Sequence, residues 1–327
     1  MGLHEICPWQ YYNSLANIGN DQTMNVSSLA LLLVLAASVA TSQVRVSRSW
    51  YHDIIRQPAP SGPIPALAGG VEMFRSFGSV GNEQAWQFRL HAVAELYRFT
   101  DSTDPVQWST SAEFHHELTA NPYSQISFNP RTARWEEQVL VHMATTAATF
   151  RAGWIHRCKH DVDNLEGSNE LTNEPTLPVQ RTIILTGPIV GAATAPFNML
   201  GGSGILAATT EWYAVAEDYR RPSSSSTALL SDVQGAVTVQ ARWNMALSPA
   251  ISLQSTIWAS LPWFAARYNA PSQGLPYDGR AEVALSVRGS AARLDLVLAA
   301  ERQFDEVAFL SGQATSLVQV GLRFAPR

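Results

Sequence analysis

The chain has 327 residues, 46% of them hydrophobic, and a formal net charge of −5. Charged residues make up only 15%, against about 25% in an ordinary soluble domain, yet the mean hydropathy of −0.05 excludes a bundle of membrane helices, each of which needs about 20 consecutive apolar residues. The acidic balance leaves no electrostatic footprint for nucleic acid, and two cysteines exclude a disulfide scaffold and a Cys-rich zinc site.

Residues 1–41 read as a signal peptide region. The run Ser27 to Ala40, SSLALLLVLAASVA, has signal-sequence length and ends in Ser38-Val39-Ala40, a small-x-small cleavage pattern. No Lys or Arg precedes it, and Met24 lies just ahead of it, so Met24 is a candidate true start. Cys7 then falls outside the mature chain and Cys158 has no intrachain partner. Residues 42–69 carry Pro58, Pro60, Pro63 and Pro65, which oppose both helix and central strand. This stretch is expected to be a tail, or a segment tucked into the mouth of the fold that residues 70–327 form.

From residue 70 to 327 the sequence alternates with period two. Trp86, Phe88, Leu90, Ala92, Ala94 and Leu96 share one face of an extended segment, and Gln87, Arg89, His91, Val93 and Glu95 share the other. The pattern recurs over 233–247, 251–263, 281–288, 294–298 and 318–324. Weaker copies occur at 70–77, 109–118, 134–145, 148–158, 179–192 and 206–218, which makes about twelve segments of strand length. Thr146-Ala147, Ser248-Pro249 and Gly289 to Ala291 read as tight turns. Connections at 119–133, 159–178, 220–230, 268–279 and 304–314 are longer, so short and long links mostly alternate. The links at 97–108 and 193–204 are exceptions, longer than a tight turn. Trp86, Trp135, Trp154 and Trp263 are expected near strand ends.

In this pattern the chain resembles the bacterial outer-membrane β-barrels, and the resemblance spans nearly the whole mature chain. The segment Leu317 to Phe324 resembles their final-strand signal, with Ala325-Pro326-Arg327 after it. The resemblance implies an all-β fold, a closed antiparallel transmembrane β-barrel of about twelve strands, located in the cell outer membrane. Residues 42–69 then become a Pro-rich periplasmic tail and residues 70–327 the barrel. The implied partners are outer-membrane lipids, lipopolysaccharide and the barrel assembly machinery, with no nucleic acid. No cofactor is expected.

The polar faces then line a lumen. Arg89, His91, Glu95, Glu113, Glu117, Arg151, Glu211, Arg242, Glu282, Arg288, Asp295 and Arg323 are the expected lining, and Arg157, Glu217, Arg293 and Glu301 project the same way. The two signs nearly balance, so neither anion nor cation selectivity is expected, and such a set can pair. Twelve strands enclose less space than the 16 to 18 of general porins. The expected function is a narrow solute channel or a plugged structural barrel, without catalysis.

One stretch carries chemistry of another kind. Trp154 to Asn164 holds the chain's only lysine, two His, two Asp and Cys158. His156, Cys158 and His160 fall on the lipid-facing side of the strand, with Phe150 and Trp154. Two alternatives stand beside a plain strand end. His160, Asp161 and Asp163 are candidate ligands for a divalent cation. His156, His160 and Asp161 are candidate catalytic groups of an outer-leaflet hydrolase of phospholipid or lipopolysaccharide, although no Ser stands at a recognisable spacing. His115, His116 and His142 read as wall or lumen lining.

Overall fold

Alternating apolar and polar side chains favour extended backbone whenever the two faces meet different media. The computed structural model describes residues 54–56, 59–78, 85–101, 103–121, 128–161, 180–221, 233–265, 277–303 and 315–326. Twelve long strands carry the fold. They are β1 Leu67–Gly78, β2 Trp86–Arg98, β3 Gln107–Asn121, β4 Asn129–Ala144, β5 Ala148–Asp161, β6 Gln180–Thr194, β7 Gly202–Trp212 with its continuation Val215–Arg221, β8 Val233–Ala246, β9 Ile251–Phe264, β10 Asp278–Arg288, β11 Ala292–Gln303 and β12 Thr315–Pro326. Each pairs antiparallel with its sequence neighbours, and β12 pairs with β1, which closes the sheet into a barrel; the continuation Val215–Arg221 is paired with β6 alone among the described residues.

Burial is inverted relative to a soluble protein. Large apolar side chains stand exposed on the outer wall, among them Leu296 (55%), Leu298 (57%) and Val318 (50%), while Glu72, Asp295 and Gln319 are fully enclosed inside. In water this arrangement forfeits the burial that drives folding; in a bilayer it is the stable one, because the outer wall meets acyl chains. The chain is a membrane-spanning β-barrel of the outer-membrane type. The segments expected as strands all appear, most of them longer at one or both ends. β1 begins at Leu67 rather than residue 70. Trp86 and Trp263 lie near the long-loop ends of their strands, but Trp135 and Trp154 lie further in, since β4 and β5 run on past them.

The connections at 145–147, 247–250 and 289–291 are tight and lie at one end of the barrel, the short-turn end, together with the start of β1 and the end of β12. The opposite, long-loop end carries connections that fall largely outside the described residues. The link at 193–204 is shorter than its length suggested. Phe197–Met199 pairs with the first residues of β7, leaving a two-residue turn at Leu200-Gly201. Both have positive φ, 49° and 72°, as a tight hairpin of matching twist requires.

The entering chain is tied to the short-turn end. Ile55 is fully buried, and Arg56 donates to Thr149 Oγ1 (2.9 Å) and to the carbonyl of Thr145 (2.8 Å). Gly62–Pro63 pairs with Tyr97 and Arg98, and the Ser61 N–H donates to Asp101 Oδ1, which holds that exposed carboxyl below the usual carboxylate range. Within 42–69, Ile54–Arg56 packs at this end against β2 to β5, and residues 67–69 belong to β1. Residues 1–53, with the expected signal peptide and Met24, lie outside the described residues.

Leu322 stands mid-strand on the outer wall of β12, 44% exposed. Leu322→Arg is expected to destabilise the folded barrel by about 2–4 kcal/mol, the cost of a guanidinium at the bilayer midplane. Urea titration in lipid vesicles, read by the migration difference between boiled and unboiled samples, measures it.

Candidate functional site: the charged lumen

Residues directly opposite each other on paired strands share a face, so a cross-strand register row can be traced around the barrel wall. One row is almost wholly charged. It runs Asp295 (β11), Arg323 (β12), Glu72 (β1), Arg89 (β2), Glu117 (β3), Arg134 (β4) and Lys159 (β5). The signs alternate from Asp295 to Arg134. Every side chain in it is buried inside the barrel.

The contacts run along the row and branch from it. Arg323 engages Glu72 (2.5 Å) and Glu282 (2.7 Å), with Asp295 at 3.5 Å. Arg89 reaches Glu117 (2.7 Å), Glu301 (2.9 Å) and Glu72 (3.6 Å), and Arg134 completes Glu117. Arg280 binds Glu301 (2.7 Å) and Glu282 (2.9 Å) and bonds Gln319. Phe74, fully buried, lies between the guanidiniums of Arg89 and Arg280, whose Cζ atoms are 4.9 and 4.8 Å from its ring centre. This network joins β1 to the last three strands, across the seam where the chain closes on itself.

A second network occupies the opposite wall. Arg157 on β5 binds Glu136 (2.8 Å) and passes over β6 to Glu211 (2.9 Å), which also accepts from Tyr213 (2.6 Å). Arg151 donates to Thr209 Oγ1 (3.0 Å), with Glu113 at 3.8 Å. It crosses β6 at Gly191, where a Cβ would come within 3.1 Å of the Arg151 Nε and 2.9 Å of the Thr209 hydroxyl. Near the short-turn end Glu95 holds Arg98 at 2.7 Å, and Arg98 donates to the Ala59 carbonyl.

Most of the expected lining residues do face the lumen. Arg89, Glu95, Glu113, Glu117, Arg151, Glu211, Glu282, Asp295 and Arg323 are buried inside, in the contacts above. His91 is also inside, opposite His115, at a cavity shared with Glu113, Glu136 and Gln138. His142 is inside as well, 2.7 Å from the Ser111 hydroxyl. Arg242 and Arg288 lie on the inward face but remain half-buried near the short-turn end. One projection is reversed. Pairing with β6 slips by one residue between Glu211 opposite Ile189 and Val215 opposite Thr186, so side-chain parity flips across this bulge. Ala216 and Asp218 face inward and Glu217 faces out, opposite Ile184.

Sequence reading missed Glu72, Phe74, Arg134, Glu136, Lys159 and Arg280 as members of the networks. All obey the parity of their strands: Glu72, Phe74, Arg134 and Glu136 lie inside the expected segments 70–77 and 134–145, and Lys159 and Arg280 are found by extending 148–158 and 281–288 to the full lengths of β5 and β10. The balance of charge also proves local. Within four residues of the short-turn strand ends the inward face carries Arg98, Arg151, Arg242, Arg288, Arg293 and Arg323 against Glu95 and Asp295. Beyond that level the acids dominate, with Glu72, Glu113, Glu136, Glu211, Glu282 and Glu301 among them.

The outer wall of β5 holds the other candidates. His156 and His160 face outward, and their Nδ1 atoms lie 2.7 and 3.2 Å from the hydroxyls of Thr186 and Thr182. Trp135 sits between His116, stacked at 5.1 Å, and His160, edge-on at 5.3 Å. The side chain of Asp161 and all of Asp163 lie outside the described residues. Among the described residues no cluster of three His, Cys, Asp or Glu side chains is arranged to hold a metal ion.

No protein-family model and no curated protein matches the sequence. Solved structures similar in fold include the transport unit of the autotransporter AIDA-I from Escherichia coli, with 12% identity over 92% of this chain and 98% of that one, at a TM-score of 0.39. Outer membrane phospholipase A from Escherichia coli is similar at 10% identity over 85% of this chain and 99% of that one, TM-score 0.43. An outer membrane channel from Pseudomonas putida F1 gives 10% identity, the same coverages and a TM-score of 0.45. At such distances function is read from this chain's own residues.

Arg89→Met removes the cation that three carboxylates share. It is expected to cost about 3–5 kcal/mol, because buried charges are left uncompensated. Arg302→Met, an outward arginine over Tyr277, is expected to cost under about 1 kcal/mol. Parallel urea titrations of the two folded barrels separate these outcomes.

Proposed function

We propose that the protein is a narrow solute channel of the outer membrane, constricted at mid-depth by its own ion-pair networks. The observation that carries this reading is the asymmetry of the lumen. At mid-depth the charged walls, β10 to β12 and β1 to β5, are buried and joined by ion pairs. Strands β8 and β9 instead present inward Thr238, Gln240, Asn244, Gln254, Thr256 and Ser260, and with Arg242 the residues nearest the short-turn end stay half-exposed. A file of water along this side needs no ion pair to break. Trp258, inward between Gln240 and Arg280 in the register, narrows it. The segment around Ile55 narrows the mouth from the facing side.

An outer-leaflet hydrolase is the less favoured reading. His156 meets a threonine hydroxyl rather than a serine, and both residues lie inside continuous strand ladders whose backbone N–H groups serve the sheet. An ester hydrolase needs free donors for its oxyanion. In the same reading, residues 1–41 are a cleaved signal peptide. The barrel assembly machinery inserts the chain, and lipopolysaccharide contacts the outer wall around His116, His156 and His160.

The test is single-channel recording of the refolded mature chain in planar bilayers. Small, steady openings are expected, and Trp258→Ala should enlarge them. Silence from a barrel whose gel migration shows it folded would leave a plugged structural barrel as the function.

A further inference from the structure

We propose that the short-turn mouth holds a binding site for a small oxyanion, of the phosphate or carboxylate class, built on Arg288, Arg293, Ser252 and Ser286. The inference deepens the channel reading and rests on it for the route of the solute; the binding itself is separable from conduction.

Arg288 and Arg293 stand directly opposite each other at the last inward position of the β10–β11 pair. Like charges in that position repel. The nearby carboxylate is Asp295, fully buried, and it is shared: Arg293 Nε lies 3.0 Å from Oδ1 and Arg323 Nη1 3.5 Å from Oδ2. Arg323 is further committed to Glu72 and Glu282. Arg242 adds a third inward guanidinium from β8, four residues from its short-turn end. Arg288 and Arg293 therefore face each other with Asp295 as the carboxylate beside them, itself shared with Arg323.

A second observation points to a ligand independently of charge. In the next inward row Ser252 lies opposite Ser286, and Ser286 opposite Asp295. Both serines are at least nine-tenths buried, at 3% and 0% exposure, and neither hydroxyl has a hydrogen-bond partner. A buried hydroxyl without a partner is costly, so two side by side beneath an arginine pair are donors that a bound acceptor would satisfy.

The chemistry selects the class. A guanidinium fork matches two oxygens of a phosphate or carboxylate, and hydroxyls complete the donor set. Asp295 is held in ion pairs by Arg293 and Arg323, although neither of its oxygens is hydrogen-bonded, and a neutral polyol leaves the arginine pair uncompensated. The described part of the entering segment packs on the β2–β5 side of the mouth, through Arg56 on Thr149, across from the arginine pair.

The experiment is calorimetric titration of inorganic phosphate into the detergent-folded barrel, with acetate and chloride as separate arms. Saturable binding of phosphate or acetate is expected, the tighter of the two naming the source, with chloride failing to compete. Arg288→Gln/Arg293→Gln should weaken it by about tenfold or more per guanidinium lost. Ser252→Ala/Ser286→Ala, which leaves the charge intact, should weaken it less. Absence of saturable heat, equal response to chloride, or unchanged affinity in a folded double-arginine variant overturns the site. Binding by a barrel that is silent in bilayers upholds the site and refutes the channel; conduction without binding does the reverse.

Discussion

The fold depends on one electrostatic constraint: charges placed inside a narrow barrel must find partners in the wall that carries them. A buried guanidinium or carboxylate loses several kcal/mol of hydration, recovered only when good geometry supplies the opposite charge. The row from Asp295 to Arg134 meets this requirement through strand register alone. Each residue faces an opposite charge on the next strand, so forming the ladder of backbone bonds also forms the ladder of ion pairs. A slip of one residue in any of these pairings would turn the row toward lipid on one side and leave its partners bare on the other. Closure is specified in the same way, since Arg323 opposite Glu72 lies on the seam between last and first strands.

The row is also not level. It starts near the short-turn end, at Asp295 in β11, and reaches Lys159 near the long-loop end of β5. In a tilted-strand barrel a line perpendicular to the strands climbs as it circles. A sequence of paired charges that begins low and ends high thereby crosses the lumen obliquely and fills its mid-depth, with Phe74 packed between Arg89 of the row and Arg280 of β10. Among the strands beyond the row, β8 and β9 present mostly neutral inward side chains, with Arg242 the exception. The constriction and the open side of the lumen have one cause.

Much of this is legible in the residue order alone. Period-two alternation is unambiguous where apolar residues meet lipid, and it locates all twelve strands and the orientation of Arg89, Glu117 and Arg323. What it misses has physical reasons. The β5 and β10 strands run past their apolar stretches, because polar residues at a barrel rim still need ladder partners, and so Lys159 and Arg280 escape a reading that looks for apolar alternation; Glu72 and Arg134 lie inside alternating stretches, and only the register shows that they share one row of charge. A bulge leaves no mark on composition, so the parity of β7 assigns Glu217 the wrong face across the slip at Trp212–Val215. The count of signs is near balance, but a count has no axis. Only the register shows that arginines gather toward the short-turn end and glutamates beyond it.

That axial polarity bears on why a single lumen can be both well paired and selective. Pairing neutralises the row locally, so the wall itself adds little net field at mid-depth. At the ends of the row the alternation has nowhere to continue: Asp295 is flanked by arginines on two strands, and Arg134 is succeeded by Lys159 rather than an acid. Selectivity in a narrow pore is set where the ion first exchanges hydration for protein groups. In this barrel that exchange falls at the unfinished lower end, on Arg288, Arg293 and the two idle serine hydroxyls, and above Arg242 the wall of β8 and β9 that leads away from it is neutral. The requirement that stabilises the wall thus stops one strand short of the mouth, and the arginine pair it leaves there is where the lumen can recognise a solute.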